Sequence, residues 1–180
     1  MHLPELFANP TKNVLQMGLT PGMKVGDLGA GSGHYALAAA GAVGETGRVY
    51  AVDIQEDILK HIRDAALEKG FKNIETIWSD IEKPGGVRLR DQTLDAVILS
   101  NTLFQIEARA NLVTEIRRVL KPGGKLLVAD WAGAYGGIGP APALVVSEHD
   151  AEELFIKNGF HKVKSFRAGP HHYAILFTSP

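Results

Sequence analysis

Apolar residues along this 180-residue chain fall into two alternating rhythms, short unbroken runs and stripes at three- and four-residue spacing, punctuated by glycine and proline. The runs at 23–28, 48–53, 73–78, 94–100 and 125–130 are short and rich in aliphatic residues, the pattern of buried strands. An alanine-rich helix is predicted over 34–43, and Ile54, Ile58, Ile62 and Ala66 then share one face of a second helix that ends near Gly70. Leu112, Val113, Ile116, Val119 and Leu120 form a further stripe, stopped by Lys121-Pro122-Gly123-Gly124. Near the start, Asn9 before Pro10 reads as an N-cap opening a short helix that carries Val14 and Leu15 and stops before Thr20-Pro21-Gly22. Ser147 as N-cap and Gly159 as C-cap bracket a last helix over 147–158. Between these elements, 82–93 reads as a loop or a loop with a short helix, and 132–142 as a mobile loop.

This alternation predicts an α/β sheet. The two final runs, 161–167 and 172–178, are joined by Ala168-Gly169-Pro170-His171, too short for a parallel crossover, so they must pair antiparallel. The length suits one domain, with residues 1–22 as a helical lid or brace and 23–180 as the core.

Composition narrows the function classes. With 45% hydrophobic and 22% charged residues the chain is an ordinary globular protein. A formal charge of −1 supplies no basic field for phosphate backbones, so nucleic acid is not expected as a partner. Cysteine is absent, which removes disulfides and thiolate chemistry and fits a reducing compartment, so a cytoplasmic location is expected. The first residues lack a cationic region followed by an apolar run, and no apolar stretch approaches about 18 residues, so neither export nor membrane insertion is expected. His171 and His172 are adjacent and point to opposite faces of a strand, so no metal site is expected from them. Lys157, Lys162, Lys164 and Arg167 make a mild basic edge, either a solvated strand or a meeting place for an anionic partner.

The chemistry concentrates in Val-Gly-Asp-Leu-Gly-Ala-Gly-Ser-Gly-His-Tyr, residues 25–35, where Gly29, Gly31 and Gly33 let the backbone turn and approach a ligand at a helix N-terminus. Glycines alone do not choose the ligand, since Gly31, Gly33 and Ala36 also satisfy a loose dinucleotide spacing. Charge helps. A dinucleotide brings an anionic pyrophosphate to this loop, S-adenosylmethionine brings an ammonium and a sulfonium, and Asp27 at the end of the feeding strand favours the cation. Asp53 ends the second strand, where an acid accepts from ribose hydroxyls in either class, and Asp80 past the third strand can accept from an adenine amine. A helix-cap role for Asp53 and a loop-cap role for Asp80 stay open.

Together these segments resemble the class I S-adenosylmethionine-dependent methyltransferases, above all the small-molecule branch that includes quinone-biosynthesis enzymes. The similarity lies in 25–33, 49–53, 77–81, 94–103 and the block 120–130, Leu-Lys-Pro-Gly-Gly-Lys-Leu-Leu-Val-Ala-Asp. It departs at Gly26, where a bulky apolar residue is usual and which should weaken the first strand, and at Ala30 and Ser32, which replace common Cys and Thr. The resemblance implies a doubly wound seven-stranded sheet of order 3-2-1-4-5-7-6, strand 7 antiparallel, with helices on both faces. It implies that Gly29, Ala30, Gly31 and Gly33 face the methionine part of S-adenosylmethionine, Asp27 its amine, Asp53 the ribose, Ile54 and Ile81 the adenine faces and Asp80 the adenine amine, with Asn101 flanking the methionine end.

The acceptor is expected to be a small molecule, held near 100–105 and 131–140, with Phe104, Trp131 and Tyr135 as candidate pocket residues and Leu3, Leu6 and Phe7 closing the site. His34 and Tyr135 are the polar candidates on the reaction side, each with a structural role as the alternative. Ser100-Asn101-Thr102-Leu103 does not resemble the Asn/Asp-Pro-Pro-aromatic motif of nucleic-acid amino methyltransferases. Two other readings stand beside methyl transfer: a noncatalytic S-adenosylmethionine-binding module, and a nicotinamide-dependent oxidoreductase, opposed by Asp27 and by the lack of a Tyr-x-x-x-Lys pair near residue 135. The oligomeric state is open.

Overall fold

A computed structural model describes residues 8–180; Leu3, Leu6 and Phe7 lie outside the described residues. Asn9 caps α1 (Pro10–Gln16), its Oδ1 accepting from the Lys12 N–H at 3.0 Å, and Pro10 sits in the first turn, where its missing N–H costs nothing. There follow β1 (Lys24–Leu28), α2 (His34–Val43), β2 (Arg48–Asp53), α3 (Glu56–Glu68), β3 (Ile74–Trp78), β4 (Leu94–Ser100), α4 (Arg109–Val119), β5 (Leu120–Trp131), α5 (Glu148–Lys157), β6 (His161–Gly169) and β7 (His172–Thr178).

The strands form one sheet in the order β3-β2-β1-β4-β5-β7-β6. Pairing is parallel from β3 through β5, and β7 runs antiparallel to both β5 and β6. Side chains alternate across the sheet and supply two cores. Along β5, Leu126 and Val128 pack with α4 and α5 through Ile116 and Phe155. Leu127 and Ala129 turn to the other face, with Val14 beyond them, Ala36 and Ala40 of α2, and Leu59 and Ile62 of α3. The α/β sheet with helices on both faces is thus the observed architecture. No described helix is long and apolar enough to cross a membrane.

Two local expectations are corrected. Ile54 does not begin the buried stripe of α3: Gln55 is the N-cap, Ile54 is 60% exposed, and burial starts at Leu59, Ile62 and Ala66. The cause is the Asp53 carboxylate, which accepts the Gln55 N–H at 2.9 Å and holds the chain in an extended turn before the helix. Leu120 does not belong to α4 and the fifth strand does not begin at 125. Leu120 is extended (φ −74°, ψ 141°) and pairs with Leu94, after which the ladder skips to Lys125 opposite Ala96. Pro122 disfavours a helical residue before it and has no N–H for the ladder, so the intervening residues bulge out.

The polar stretch 82–93 contains neither a helix nor a strand. Glu115 of α4 pins it, accepting from the Gly85 and Val87 N–H groups at 2.8 and 3.2 Å while Arg118 holds its carboxylate. On the basic edge, Lys157 and Lys162 are paired with Glu153 and Glu152, and Lys164 bonds Gln16.

Candidate cofactor site

The carboxyl ends of β1, β2, β3 and β4 meet where the strand order reverses, the place where an open α/β sheet leaves a crevice. The loop after β1 is tied to β2 by Gly29 and Ala30, whose N–H groups donate to the Val52 carbonyl at 2.8 and 3.0 Å. Asp53 locks the same region, with one carboxylate oxygen accepting from Gly31 N–H and the other from Gln55 N–H, both at 2.9 Å. A carboxylate oxygen has more than one lone-pair site, so both remain able to accept again. Gly33 caps α2 with φ 75°, and a Cβ there would lie 2.6 Å from Ile62 Cγ1. It is the contact between the loop and α3, and it does not line the crevice.

The crevice is a cavity of about 640 Å³. Asp27, Gly29, Ala30, Gly31, Asp53, Ile54, Asp80, Ile81 and Asn101 line it, as does His34 from the first turn of α2. Asp27 is 1% exposed and accepts from the Ala36 backbone N–H, yet burial, together with the nearby Asp53, pushes its carboxyl up to about 8. Its Oδ2 has no hydrogen-bond partner among the described residues, and neither has the buried Oδ1 of Asn101. Asn101 adopts φ 52°, a left-handed conformation that asparagine tolerates, and its N–H is fixed to the Ala129 carbonyl at 2.8 Å. Asp80 sits toward the rim: the Glu82 N–H and then Lys83, 3.2 Å away, hold its carboxyl below the ordinary range.

Ser100 and Gln105, the ends of the segment expected near the acceptor, also line the cavity, whereas Tyr35 and Ala8 were not singled out from the sequence. Tyr35 is half of a buried relay. Asn13 of α1 donates to Tyr35 Oη at 2.8 Å and to the Ala168 carbonyl at 3.1 Å, and Tyr35 also bonds the Ser100 side chain. The sequence signal was an asparagine inside a short amphipathic helix, which is visible only once its partners 22 and 155 positions away are known.

Phe104, Trp131 and Tyr135 do not line this cavity. Phe104 lies half-buried in the short 3-10 turn Leu103–Gln105. Trp131 is buried with its ring on that of His172, centroids 4.2 Å apart. Tyr135 stacks on His171 at 4.1 Å and lines a separate hollow of about 310 Å³ beside the β6–β7 turn.

The cavity thus presents two unpaired buried acceptors at one end, a carboxylate with spare lone pairs in the middle, and Ile54, Ile81 and Asp80 at the other. Such a site suits an elongated ligand with a cationic donor, then hydroxyls, then a flat ring.

The family model described as a methyltransferase domain matches residues 19–165. The ubiquinone/menaquinone biosynthesis C-methyltransferase UbiE of Paraburkholderia phymatum is 35% identical over 119 residues, 66% of this chain and 47% of that protein, so the chain spans about half the length of this relative. An S-adenosylmethionine-dependent methyltransferase from Aquifex aeolicus superposes with TM-score 0.87 at 28% identity, covering 96% of this chain and 90% of that one. The arsenic(III) S-adenosylmethionine methyltransferase of Chlamydomonas reinhardtii gives TM-score 0.70 at 26% identity over 88% and 63% of the two chains. With the glycine loop, the three strand-end acids and the strand order all in place and the family model covering most of the sequence, this chain belongs to the methyltransferase domain family.

Proposed function

We propose that the chain is an S-adenosylmethionine-dependent methyltransferase acting on a small-molecule acceptor in the cytoplasm. The observation that carries this reading is the pair of unpartnered buried acceptors, Asp27 Oδ2 and Asn101 Oδ1, in the cavity that Asp53 also lines. An unpaired buried carboxylate is costly, and a pyrophosphate would add repulsion to it. An ammonium supplies both the charge and the donors, which favours S-adenosylmethionine over a nicotinamide dinucleotide.

In this reading Asp27 and Asn101 hold the ammonium, Asp53 accepts from the ribose hydroxyls, Ile54 and Ile81 flank the adenine and Asp80 accepts from its amine. When bound, S-adenosylmethionine supplies a methyl group already activated on a sulfonium. The protein's part is then alignment and exclusion of water, and proximity of this kind supplies about 7–11 kcal/mol. The loop from Gly29 to Gly31 fixes the donor's position because its N–H groups are tied to Val52 and Asp53. Ala8 and Pro10 border the cavity, so the start of α1 narrows access of water to it. His34, Phe104, Trp131 and Tyr135 remain candidates for the acceptor side.

Titration calorimetry with S-adenosylhomocysteine and, separately, NADH tests the assignment. Binding of the former in the micromolar range with no heat from the latter is expected; the opposite pattern overturns it.

A further inference from the structure

Asp130, the penultimate residue of β5, is a buried carboxylate that lines neither the cofactor cavity nor the hollow beside the β6–β7 turn. What it holds is backbone. Its Oδ2 accepts the Leu103 N–H at 2.9 Å and its Oδ1 the Trp131 N–H at 2.8 Å, and the N–H groups of Thr102 and Phe104 also bond it. A carboxylate has about four lone-pair sites, enough for four such donors. An amide side chain has one acceptor oxygen and would turn its NH2 toward the remaining N–H groups.

The segment gripped in this way is a wall of the cofactor cavity, which Asn101, Thr102 and Gln105 line. Asn101 Oδ1 is one of the buried acceptors left unpaired there. The Asn101 N–H is held by the Ala129 carbonyl, and Gln105 Nε2 donates to the Asn101 carbonyl at 3.0 Å, so both sides of this left-handed residue are fixed. Thr102 carries the constraint to the glycine loop. A Cβ on Gly29 would lie 2.8 Å from Thr102 Cγ2 and Oγ1, so the Thr102 side chain rests directly on Gly29. Displacing the turn therefore moves Asn101 and removes the support of the loop together.

We propose that Asp130 is a positioning residue for S-adenosylmethionine binding: without touching the ligand, it places Asn101 and Thr102 by gathering the N–H groups of residues 102–104. This role rests on the methyltransferase reading, because that reading gives Asn101 an ammonium to hold. The ionised carboxylate is the form that accepts every one of these N–H groups, so protonation loosens the turn. Burial pushes the Asp130 carboxyl up to about 6 against the pull of the N–H groups. Tyr173 stands opposite it on β7 and keeps its proton, because burial raises its hydroxyl. The charged groups around this pair are Arg109 of α4 and Glu148 and Asp150 of α5. Affinity for the cofactor therefore falls as pH drops through about 6.

S-adenosylhomocysteine is the probe, titrated calorimetrically into the full natural chain and into Asp130→Asn at about pH 7.5 and about pH 5. The variant is expected to bind it about tenfold more weakly at the higher pH, and to lose about tenfold less affinity than the natural chain on going to the lower one. Comparing the two chains cancels what Asp27 and His34, which line the cavity, add to the pH dependence. A carboxylate that serves folding alone would lower the urea midpoint of Asp130→Asn and leave ligand affinity untouched. Unchanged affinity, or a pH dependence equal to that of the natural chain, overturns the assignment. Should Asp130→Asn not fold, NMR of a chain that keeps Asp130 decides. In ligand-free His34→Gln, which removes the cavity's own imidazole, the Gly29 backbone amide and the Asn101 side-chain amide are expected to shift with the midpoint of the Asp130 carboxyl carbon. Amides that ignore that midpoint overturn the role. A natural chain that binds no S-adenosylhomocysteine at either pH overturns the methyltransferase reading and this role with it, whereas failure of the Asp130 tests in a chain that binds overturns this role alone.

Discussion

Asp27 shows how one side chain can be a burden to the free protein and an asset to the complex. Folding raises its carboxyl from 3.8 to about 8, so between these values the folded chain holds a proton that the unfolded chain releases. Its contribution to stability is therefore fully present below about pH 4 and is lost as pH rises through about 8. Asp27→Asn keeps the shape and removes the titration. In thermal unfolding without ligand, the variant should gain on the natural chain as pH is raised from about 4 to 8.5. Calorimetry on the same variant should show S-adenosylhomocysteine affinity reduced about 10- to 150-fold, the worth of one charge-assisted hydrogen bond. Stability gained at high pH together with unchanged affinity would remove Asp27 from the cofactor site.

Gly26 makes a second point at this scale. The sequence suggested a weakened strand, yet a Cβ at this position would meet Leu94 Cδ1 at 2.7 Å, so the missing side chain is the space that Leu94 fills. Gly26→Val, the residue type expected there, should cost about 1–3 kcal/mol through overpacking, measurable as a lower urea midpoint.

Among the elements, α1 has two roles that one variant can separate. Val14 and Met17 are buried on the α2 side of the sheet, which is bracing, while Ala8 and Pro10 border the cofactor cavity, which is closure. Asn13→Ala removes one of two hydrogen bonds at each of the Tyr35 hydroxyl, which keeps Ser100, and the Ala168 carbonyl, which keeps the Asn9 N–H, and should destabilise the chain by about 1–3 kcal/mol. If α1 also shapes the cavity, S-adenosylhomocysteine affinity falls with it; loss of stability at constant affinity marks the helix as a brace alone. The junction between the glycine loop and α3 is stiffer. Gly33→Ala must place a methyl group 2.6 Å from Ile62 Cγ1 at a left-handed φ, and urea unfolding should register a loss of about 2–4 kcal/mol.

For the molecule as a whole, the cavity at the reversal of strand order couples cofactor binding to folding, because its walls come from β1, β2 and the segments after β3 and β4. A ligand that binds only this assembled state stabilises it by about 2.7 kcal/mol at a hundred times its Kd. For a chain of this length that is a rise of roughly 5–11 °C in Tm. S-adenosylhomocysteine should produce such a rise in a thermal-shift scan, and NADH at equal concentration none.

What the sequence determined by itself is what short-range physics decides. The runs and stripes announced nearly every strand and helix, because burial of one face imposes its period on neighbouring residues. The Ala168–His171 connection announced the antiparallel end, because four residues cannot cross over a sheet. Asp27, Asp53 and Asp80 could be placed near one another because each lies at or just past the carboxyl end of a strand, and parallel strands end on one edge. Only the tertiary structure decided that Gly33 turns to Ile62, that Tyr135 belongs to a different hollow from Asn101, and that the nitrogens of His172 are buried without partners. Those facts depend on which distant segments pack together, and a side chain's accessible surface and hydrogen-bond partners are set by such neighbours, not by the residues beside it in the chain.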